Sequence, residues 1–250
     1  APKEYISGVS YNEKRQRCSL EYGNGMVTRY SFDRLTFMLE EVLTTRANGS
    51  VVQHYQYTFD VTGHLSHVSD KSDKVYYHGN RTVNPDSDFT YDCYGRLVRA
   101  EGRENMAAVG RDAADNFDDR DFICQLSDMD SMAIRHYSEE YAYDRSGNIL
   151  SMHHVSDGNT WKREYAYAED SNRLLTTRMG DYSYSYEYHP TAGFMVRMPH
   201  LADIGWNFLE QVESSTRQVR TDGGTPETTY YQYDGSGKRI RKTTVCASDT

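Results

Sequence analysis

Proline is scarce in this chain, 5 of 250 residues, and cysteine numbers only 4. Cys18, Cys93, Cys124 and Cys246 stand far apart with no C-x-x-C pair, a pattern of neither a disulfide framework nor a zinc site, and Cys93 reads as a free thiol in a turn. No apolar run reaches the roughly eighteen residues that a membrane-crossing helix needs. Positive charge is also short: 28 Lys and Arg stand against 37 Asp and Glu, a net charge of −9. The densest basic run, Lys238-Arg239-Ile240-Arg241-Lys242, is too brief for a nucleic-acid footprint, and stacked aromatics without a basic groove do not make a single-strand channel. There is no G-x-S-x-G, no phosphate-cradling glycine loop and no H-E-x-x-H. The first residues, Ala1-Pro2-Lys3-Glu4, carry neither a signal-peptide pattern nor an initiating Met, from which an excised or processed stretch of a longer polypeptide is expected.

What the chain has in excess is tyrosine, 22 residues. Mean hydropathy is −0.82, a value that suggests a thin core. In a β-sheet protein the same value arises when one sheet face is wet or when the structure encloses water.

The tyrosines are ordered. A tetrad Tyr-x-(Tyr/Phe)-Asp, followed by x-x-Gly and commonly by an aliphatic residue soon after, recurs along the sequence. The clean copies are Tyr57/Phe59/Asp60/Gly63, Phe89/Tyr91/Asp92/Gly95, Tyr141/Tyr143/Asp144/Gly147 and Tyr231/Tyr233/Asp234/Gly237. Worn copies centre on Tyr30-Ser31-Phe32-Asp33, Tyr165-Ala166-Tyr167, Tyr186-Glu187-Tyr188 and Trp206-Asn207-Phe208. The spacing is roughly twenty to thirty residues, with the step from Tyr91 to Tyr143 about double, and such a period marks units that stack because none can bury a face alone.

Each copy predicts a hairpin. Alternate residues of a strand share a face, so the two aromatics of a tetrad sit together and the Asp opposes them. Asp at the first and Gly at the fourth position match a type I turn, and strand character resumes after Gly. In the copy at Tyr188 the Asp is His189, and Pro190 keeps a turn-compatible φ in a longer loop. In the copy at Tyr167 Asn172 is expected in the left-handed conformation. The fold class is therefore all-β, a run of consecutive antiparallel hairpins over residues 1 to 250 as one repeat region. Two or three strands are expected in 1 to 46, with a tight turn at Gly23-Asn24-Gly25. A hairpin turn is expected at His78-Gly79-Asn80, an irregular acidic insertion at about 101 to 136, three close hairpins in 137 to 199, and an irregular segment at 200 to 229 with a turn at Gly223-Gly224-Thr225-Pro226.

Candidate chemistry is thin. Asp112, Asp115, Asp118, Asp119 and Asp121 could offer oxygen ligands to calcium, but the segment lacks EF-hand order and reads better as a solvated loop. His153, His154 and His136 invite a transition-metal site. Adjacent strand residues face opposite ways, however, so His153 and His154 are expected as surface or lumen histidines. Neither Cys93 nor Cys124 has a base at motif spacing. Tyrosine faces could stack on sugar rings, yet cross-strand aromatic packing explains the same residues. Each tetrad Asp falls at a turn position, so no catalytic role, cofactor or metal is assigned.

Six segments, in order, carry a more specific likeness: Tyr22-Gly-Asn-Gly25 with Thr28 to Asp33; Tyr91 to Leu97 with Gly102-Arg-Glu104; Tyr141 to Ile149; Ser171 to Leu175; Met198-Pro-His-Leu201; and Asp222 to Tyr230. The chain resembles the YD or RHS repeats of RHS polymorphic toxins, teneurins and Tc insecticidal toxin complexes. The nearest likeness is to the shell region of the Tc B component. The resemblance implies a curved strip of hairpins forming part of a hollow shell, non-catalytic and secreted. Its implied partners are the remainder of the shell, including the C-type component, and an enclosed toxin polypeptide, and free strand edges could self-associate. The chain shows nothing like the SpvB-like region, the propeller, the self-cleaving segment or the toxin domain of such complexes. A secreted glycan-binding repeat module is the alternative reading.

Overall fold

The computed structural model describes residues 4–78, 81–106, 133–199, 201–217 and 226–245. All regular structure among them is β. The first strands are β1 (Ile6–Tyr11), β2 (Arg17–Tyr22), β3 (Val27–Phe32), β4 (Leu39–Thr45), β5 (Val51–Phe59), β6 (Leu65–Asp70), β7 (Tyr76–His78), β8 (Arg81–Val83), β9 (Asp86–Tyr91), β10 (Leu97–Asn105) and β11 (Ile134–Tyr143). They continue with β12 (Ile149–Ser156), β13 (Asn159–Tyr167), β14 (Leu174–Met179), β15 (Tyr182–Ser185), β16 (Glu187–Tyr188), β17 (Met195–Arg197), β18 (Leu201–Trp206), β19 (Val212–Arg217), β20 (Thr228–Tyr233) and β21 (Arg239–Val245).

Thirteen strands form an open antiparallel sheet in the order β1-β2-β3-β4-β5-β6-β9-β10-β11-β12-β13-β14-β15. The pairs β7-β8 and β16-β17 stand apart as two-stranded ribbons, and β18 to β21 make a four-stranded sheet in chain order. The described residues divide into two compact units: one from those within 4–106, 133–141 and 154–160, the other from those within 142–153 and 161–245.

The hairpins close by one recurring turn. At Asp60 the backbone N–H donates to the carbonyl of His64 (2.8 Å), while the N–H of Gly63 donates back to the carbonyl of Asp60 (3.1 Å). The same two bonds join Asp92 with Arg96 and Gly95, Asp144 with Asn148 and Gly147, and Asp234 with Lys238 and Gly237. In each, the glycine has positive φ: 93° at Gly63, 76° at Gly95, 93° at Gly147 and 82° at Gly237. This is a three-residue hairpin loop, a type I turn followed by a left-handed residue that makes a bulge. The register accordingly slips one residue beside the turn, for example between Thr58 and Phe59 and between Gln232 and Tyr233.

Several boundaries differ from expectation. Residues 1 to 46 contain four strands, because Asn12 and Arg15 form a further copy of the turn: Asn12 N–H donates to the Gln16 carbonyl, Arg15 N–H donates to Asn12, and Arg15 has φ 63°. The copy at Trp206 is displaced by two residues. Asn207 is the turn residue, Glu210 takes the left-handed place with φ 62°, and Phe208 lies exposed at the tip rather than on the strand face. With that hairpin, β18 and β19 occupy much of the segment expected to be irregular. The insertion is narrower than 101 to 136, since Glu101 to Asn105 pair in register with Ser138 to Ile134. Asn172 is not among the residues with positive φ. The turn at Gly23-Asn24-Gly25 is present, with Gly25 N–H donating to Tyr22 at 2.8 Å, and β7 pairs with β8 on either side of Gly79 and Asn80, which lie outside the described residues. The turn expected at Gly223 to Pro226 also lies largely outside them.

Alternation does the burying. Tyr57, Phe59, Phe89, Tyr91, Tyr141, Tyr143, Tyr231 and Tyr233 are half-buried, while the residues between them, Thr58, Thr90, Ala142 and Gln232, are exposed. No described side chain is fully buried, and the best-covered apolar ones are small: Leu20, Val42, Val83, Ala100, Met179 and Ile204. Apolar burial is correspondingly shallow, so bonding along and between hairpins must carry a large share of the cohesion.

Gly147 separates the two requirements of the turn. An added Cβ would meet nothing within 4 Å, yet φ is +93°. Gly147→Val should therefore destabilise the fold by about 1–2 kcal/mol through backbone strain alone. Gly235, equally open but without positive φ, should accept Ala with no loss. Urea unfolding of the two variants checks this, and equal midpoints would contradict the turn assignment.

Candidate functional site

The tetrad residues are brought together as structure, hairpin by hairpin, and each carboxylate is engaged in its own turn. Asp60 Oδ1 accepts from the N–H of Thr62 (2.8 Å) and of His64 (2.9 Å). Asp92 accepts likewise from Tyr94 and Arg96, and Asp234 from Ser236 and Lys238. Asn12 and Asn207 make the same pair of bonds with a carboxamide oxygen. These bonds favour the ionised acid. The Thr62 hydroxyl holds Asp60 far below the usual carboxylate range, with help from the N–H groups of His64 and Thr62. Asp92 is lowered first by the Arg96 N–H, Asp144 by the Asn148 carboxamide and Asp234 by the Ser236 hydroxyl. A carboxylate held ionised by N–H donors is a cap and a poor general acid.

The residue four places after the turn acid braces it a second time. Arg96 Nε donates to Asp92 Oδ2 (2.7 Å), Asn148 Nδ2 to Asp144 Oδ2 (2.8 Å), and the Asn12–Gln16 and Asn207–Gln211 side chains pair at 2.9 and 3.1 Å. The same position reaches toward the next hairpin. His64 stacks on Tyr91 with centroids 4.8 Å apart, and Asn148 Nδ2 donates to Asn172 Oδ1 at 3.0 Å.

The aromatic at the third tetrad position makes the link between hairpins. Tyr91 donates its hydroxyl to the Leu65 carbonyl (2.9 Å), Tyr167 to Ile149 (3.0 Å), Tyr188 to Leu174 (3.0 Å) and Tyr233 to Val212 (2.8 Å). Trp206 does the same with its indole N–H to Met195 (2.9 Å), its ring stacked on Phe194. In every case the acceptor is the first strand residue after the preceding turn, the aliphatic place of the repeat or its equivalent. Phenol and ring are thus one device: the ring packs, and its tip staples a carbonyl of the neighbouring hairpin. The i, i+2 pattern predicts the shared ring face; the hydroxyl target depends on hairpin stacking, which no local spacing reveals.

One polar cluster was not foreseen. On β10 to β12 Arg135 Nε donates to Glu104 Oε1 (2.6 Å), Arg135 Nη1 to the Asp157 carbonyl (2.6 Å) and the Ser156 hydroxyl to Glu104 Oε1 (2.6 Å). His154 lies between Glu139 (3.1 Å) and Glu104 (3.2 Å) with its ring stacked on Tyr137. His154 is 4% exposed and Arg135 3%, so His154 corrects the expectation of a surface or lumen histidine; His153 is half-buried and His136 exposed. Burial pushes Glu104 up, but Ser156, Arg135 and the charge of His154 outweigh it and leave its carboxyl below the ordinary value. A paired network of this kind specifies register more than it adds stability. The only early signal was an alternation of polar residues, Arg135, Tyr137, Glu139 and Tyr141, on a strand whose face should be apolar.

Among the described residues no group of three or more His, Cys, Asp or Glu could hold a metal ion. Asp112, Asp115, Asp118, Asp119, Asp121, Cys124 and Cys246 lie outside the described residues. Cys18 is half-buried and Cys93 exposed, both as free thiols. Among the described residues no helix is long and apolar enough to cross a membrane.

Comparison with known proteins gives the arrangement a setting. No protein-family model matches. The chain is homologous to toxin subunit YenC1 of Yersinia entomophaga, 26% identical over 252 residues that cover 98% of this chain and 25% of the relative. It is equally related to toxin subunit YenC2, 26% identical over 247 residues, 95% of this chain and 25% of the relative. The chain thus spans about a quarter of the length of these relatives. Its fold matches the crystal structure of TcdB2-TccC3 with a TM-score of 0.72 at 23% identity, over 98% of this chain and 12% of that one. It also matches TcdB2-TccC3-TEV with a TM-score of 0.71 at 22% identity, over 98% of this chain and 11% of that one. The sequence likeness is consistent with a YD/RHS-repeat Tc toxin component.

Two expectations follow from the geometry. Tyr167→Phe and Tyr233→Phe keep the ring and remove the staple, so each should lower stability by about 1 kcal/mol by denaturant unfolding; unchanged midpoints would show that the hydroxyl bonds contribute nothing. The turn carboxylates have folded-state pKa values below their unfolded ones, so their stabilisation is full above the ordinary Asp range, near pH 4, and is lost as pH falls through the lowered values. Asp144→Asn keeps the acceptor, as Asn12 and Asn207 do, and should flatten that acid limb while leaving neutral-pH stability nearly intact. Asp144→Ala should lower stability at neutral pH. Thermal melts across the acid range test both.

Proposed function

We propose that this chain is a stretch of the hairpin wall of a Tc-type toxin shell, structural and not catalytic, acting as a single repeat region in a secreted complex. Its partners in this reading are the remainder of the wall and a toxin polypeptide held behind it. The observation that carries the proposal is the use to which the repeat is put: Asp caps, Gly turns and tyrosine staples occupy the groups that chemistry would otherwise use. Homology to toxin subunits YenC1 and YenC2 and a fold shared with TcdB2-TccC3 support it.

A wall is tested by what it keeps out. In the assembled complex containing this stretch, added protease should leave the enclosed polypeptide intact until the complex is denatured. Digestion of that polypeptide at the rate seen when it is free would overturn the proposal.

A further inference from the structure

Two sets of tyrosines in this chain differ in what their hydroxyls do. Tyr91, Tyr167, Tyr188 and Tyr233 have their hydroxyls engaged in staples. Tyr22, Tyr30 and Tyr55 have no hydroxyl partner among the described residues, and all three line one groove of about 550 Å³ on β2 to β5. The register shows how the groove is built. Tyr30, Val42 and Tyr55 form one rung across β3, β4 and β5, and Thr28, Thr44 and Gln53 form the next rung on the same face. Thr28 and Thr44, each less than a tenth exposed, line the groove as its floor, while Val42, 8% exposed, is covered and does not line it. Two strand spacings, roughly 9.5 Å, separate Tyr30 from Tyr55, which flank this floor as walls.

The polar groups of the floor are arranged. Gln53 Oε1 can only accept, so Thr44 donates to it (3.3 Å), and Thr44 in turn takes the Thr28 hydroxyl (2.8 Å). That order leaves the Gln53 carboxamide N–H groups as donors beside the phenols. No side chain lining the groove is charged, in a chain that is otherwise acidic. The Arg17 guanidinium covers one face of Tyr30, 4.9 Å from its centroid, which leaves the other face for a ligand.

We propose that this groove is a binding site for an uncharged saccharide, a pyranose ring lying over Thr28 and Thr44 with its C–H faces toward Tyr30 and Tyr55 and its hydroxyls on the phenols and Gln53. Aromatic rings with neutral donors and acceptors fit a polyhydroxylated ring, and the missing charge disfavours acidic or basic ligands. An extended peptide fits less well, because peptides commonly bind sheets by adding to an edge, and β3, β4 and β5 are interior strands whose backbone groups are already paired. The site stands independently of the wall reading.

The test is an NMR titration of this chain with neutral tetrasaccharides, chitotetraose and maltotetraose, at millimolar concentration, alongside an uncharged tetrapeptide. Saturable shifts from at least one sugar are expected, weakened about tenfold by Tyr55→Ala and about threefold by Tyr30→Phe. Gln53→Ala, which removes the carboxamide donors of the groove, should weaken them about tenfold. Tyr94→Ala, an exposed turn tyrosine outside the groove, should change nothing, and unaltered melting of each variant shows that the fold is kept. No saturable shift with either sugar, shifts insensitive to Tyr55→Ala and Gln53→Ala, or binding of the peptide alone would overturn the proposal.

Discussion

The hydrogen bond from a tyrosine hydroxyl to a carbonyl of the preceding hairpin is the interaction on which the rest of this structure depends. A sheet whose apolar side chains are at best small and nearly buried cannot rely on a deep core. The staple answers that problem where hairpins meet, from Leu65 and Tyr91 to Val212 and Tyr233. It requires an aromatic long enough to reach and a polar tip to bond, which accounts for tyrosine in place of leucine or phenylalanine. Trp206 meets the same requirement with an indole N–H. Phe59 holds the same repeat position without a hydroxyl, so its ring supplies packing without a staple, and the β4–β5 junction is held by the backbone ladder and by the side-chain bonds of His54 and Gln56 with Glu41.

The turns make that reach reproducible. In the copies at Asp60, Asp92 and Asp234 the left-handed fourth residue and the capped Asp set a bulge at the same place, so the strand after each turn starts in the same register. Arg15 and Glu210 adopt that conformation without being glycine, which costs backbone energy. The Asn–Gln side-chain pairs at Asn12 and Asn207 brace those two loops. The brace also explains why worn copies fold: the turn needs an acceptor at its first residue and a tolerated positive φ at its fourth, and neither condition demands Asp and Gly specifically.

The all-β class, the hairpin unit and the shared aromatic face were legible in the sequence, because period-two alternation and Asp-x-x-Gly are local signals. Asn12 and Asn207 were missed for lack of the Asp and the Gly, and the true frame Trp206-Asn207 was read two residues late because Phe208 imitates a tetrad aromatic. The staples were invisible since their acceptors belong to a different hairpin. The Glu104–Arg135–His154 cluster was hidden by distance, with its members spread over three strands. The likeness to a YD/RHS-repeat Tc toxin component is borne out by homology to toxin subunits YenC1 and YenC2 and by the fold shared with TcdB2-TccC3.

Amide hydrogen exchange offers the most direct test of the central claim, by comparing two sets of tyrosine-to-phenylalanine changes of equal chemistry. Replacing the stapling residues Tyr91, Tyr167, Tyr188 and Tyr233 should lower protection across the strands on both sides of each junction. Replacing Tyr22, Tyr30 and Tyr55, whose hydroxyls bond nothing among the described residues, should leave protection unchanged. Equal effects in the two sets would contradict the account, because hairpin cohesion would then come from the rings and not from the bonds at their tips.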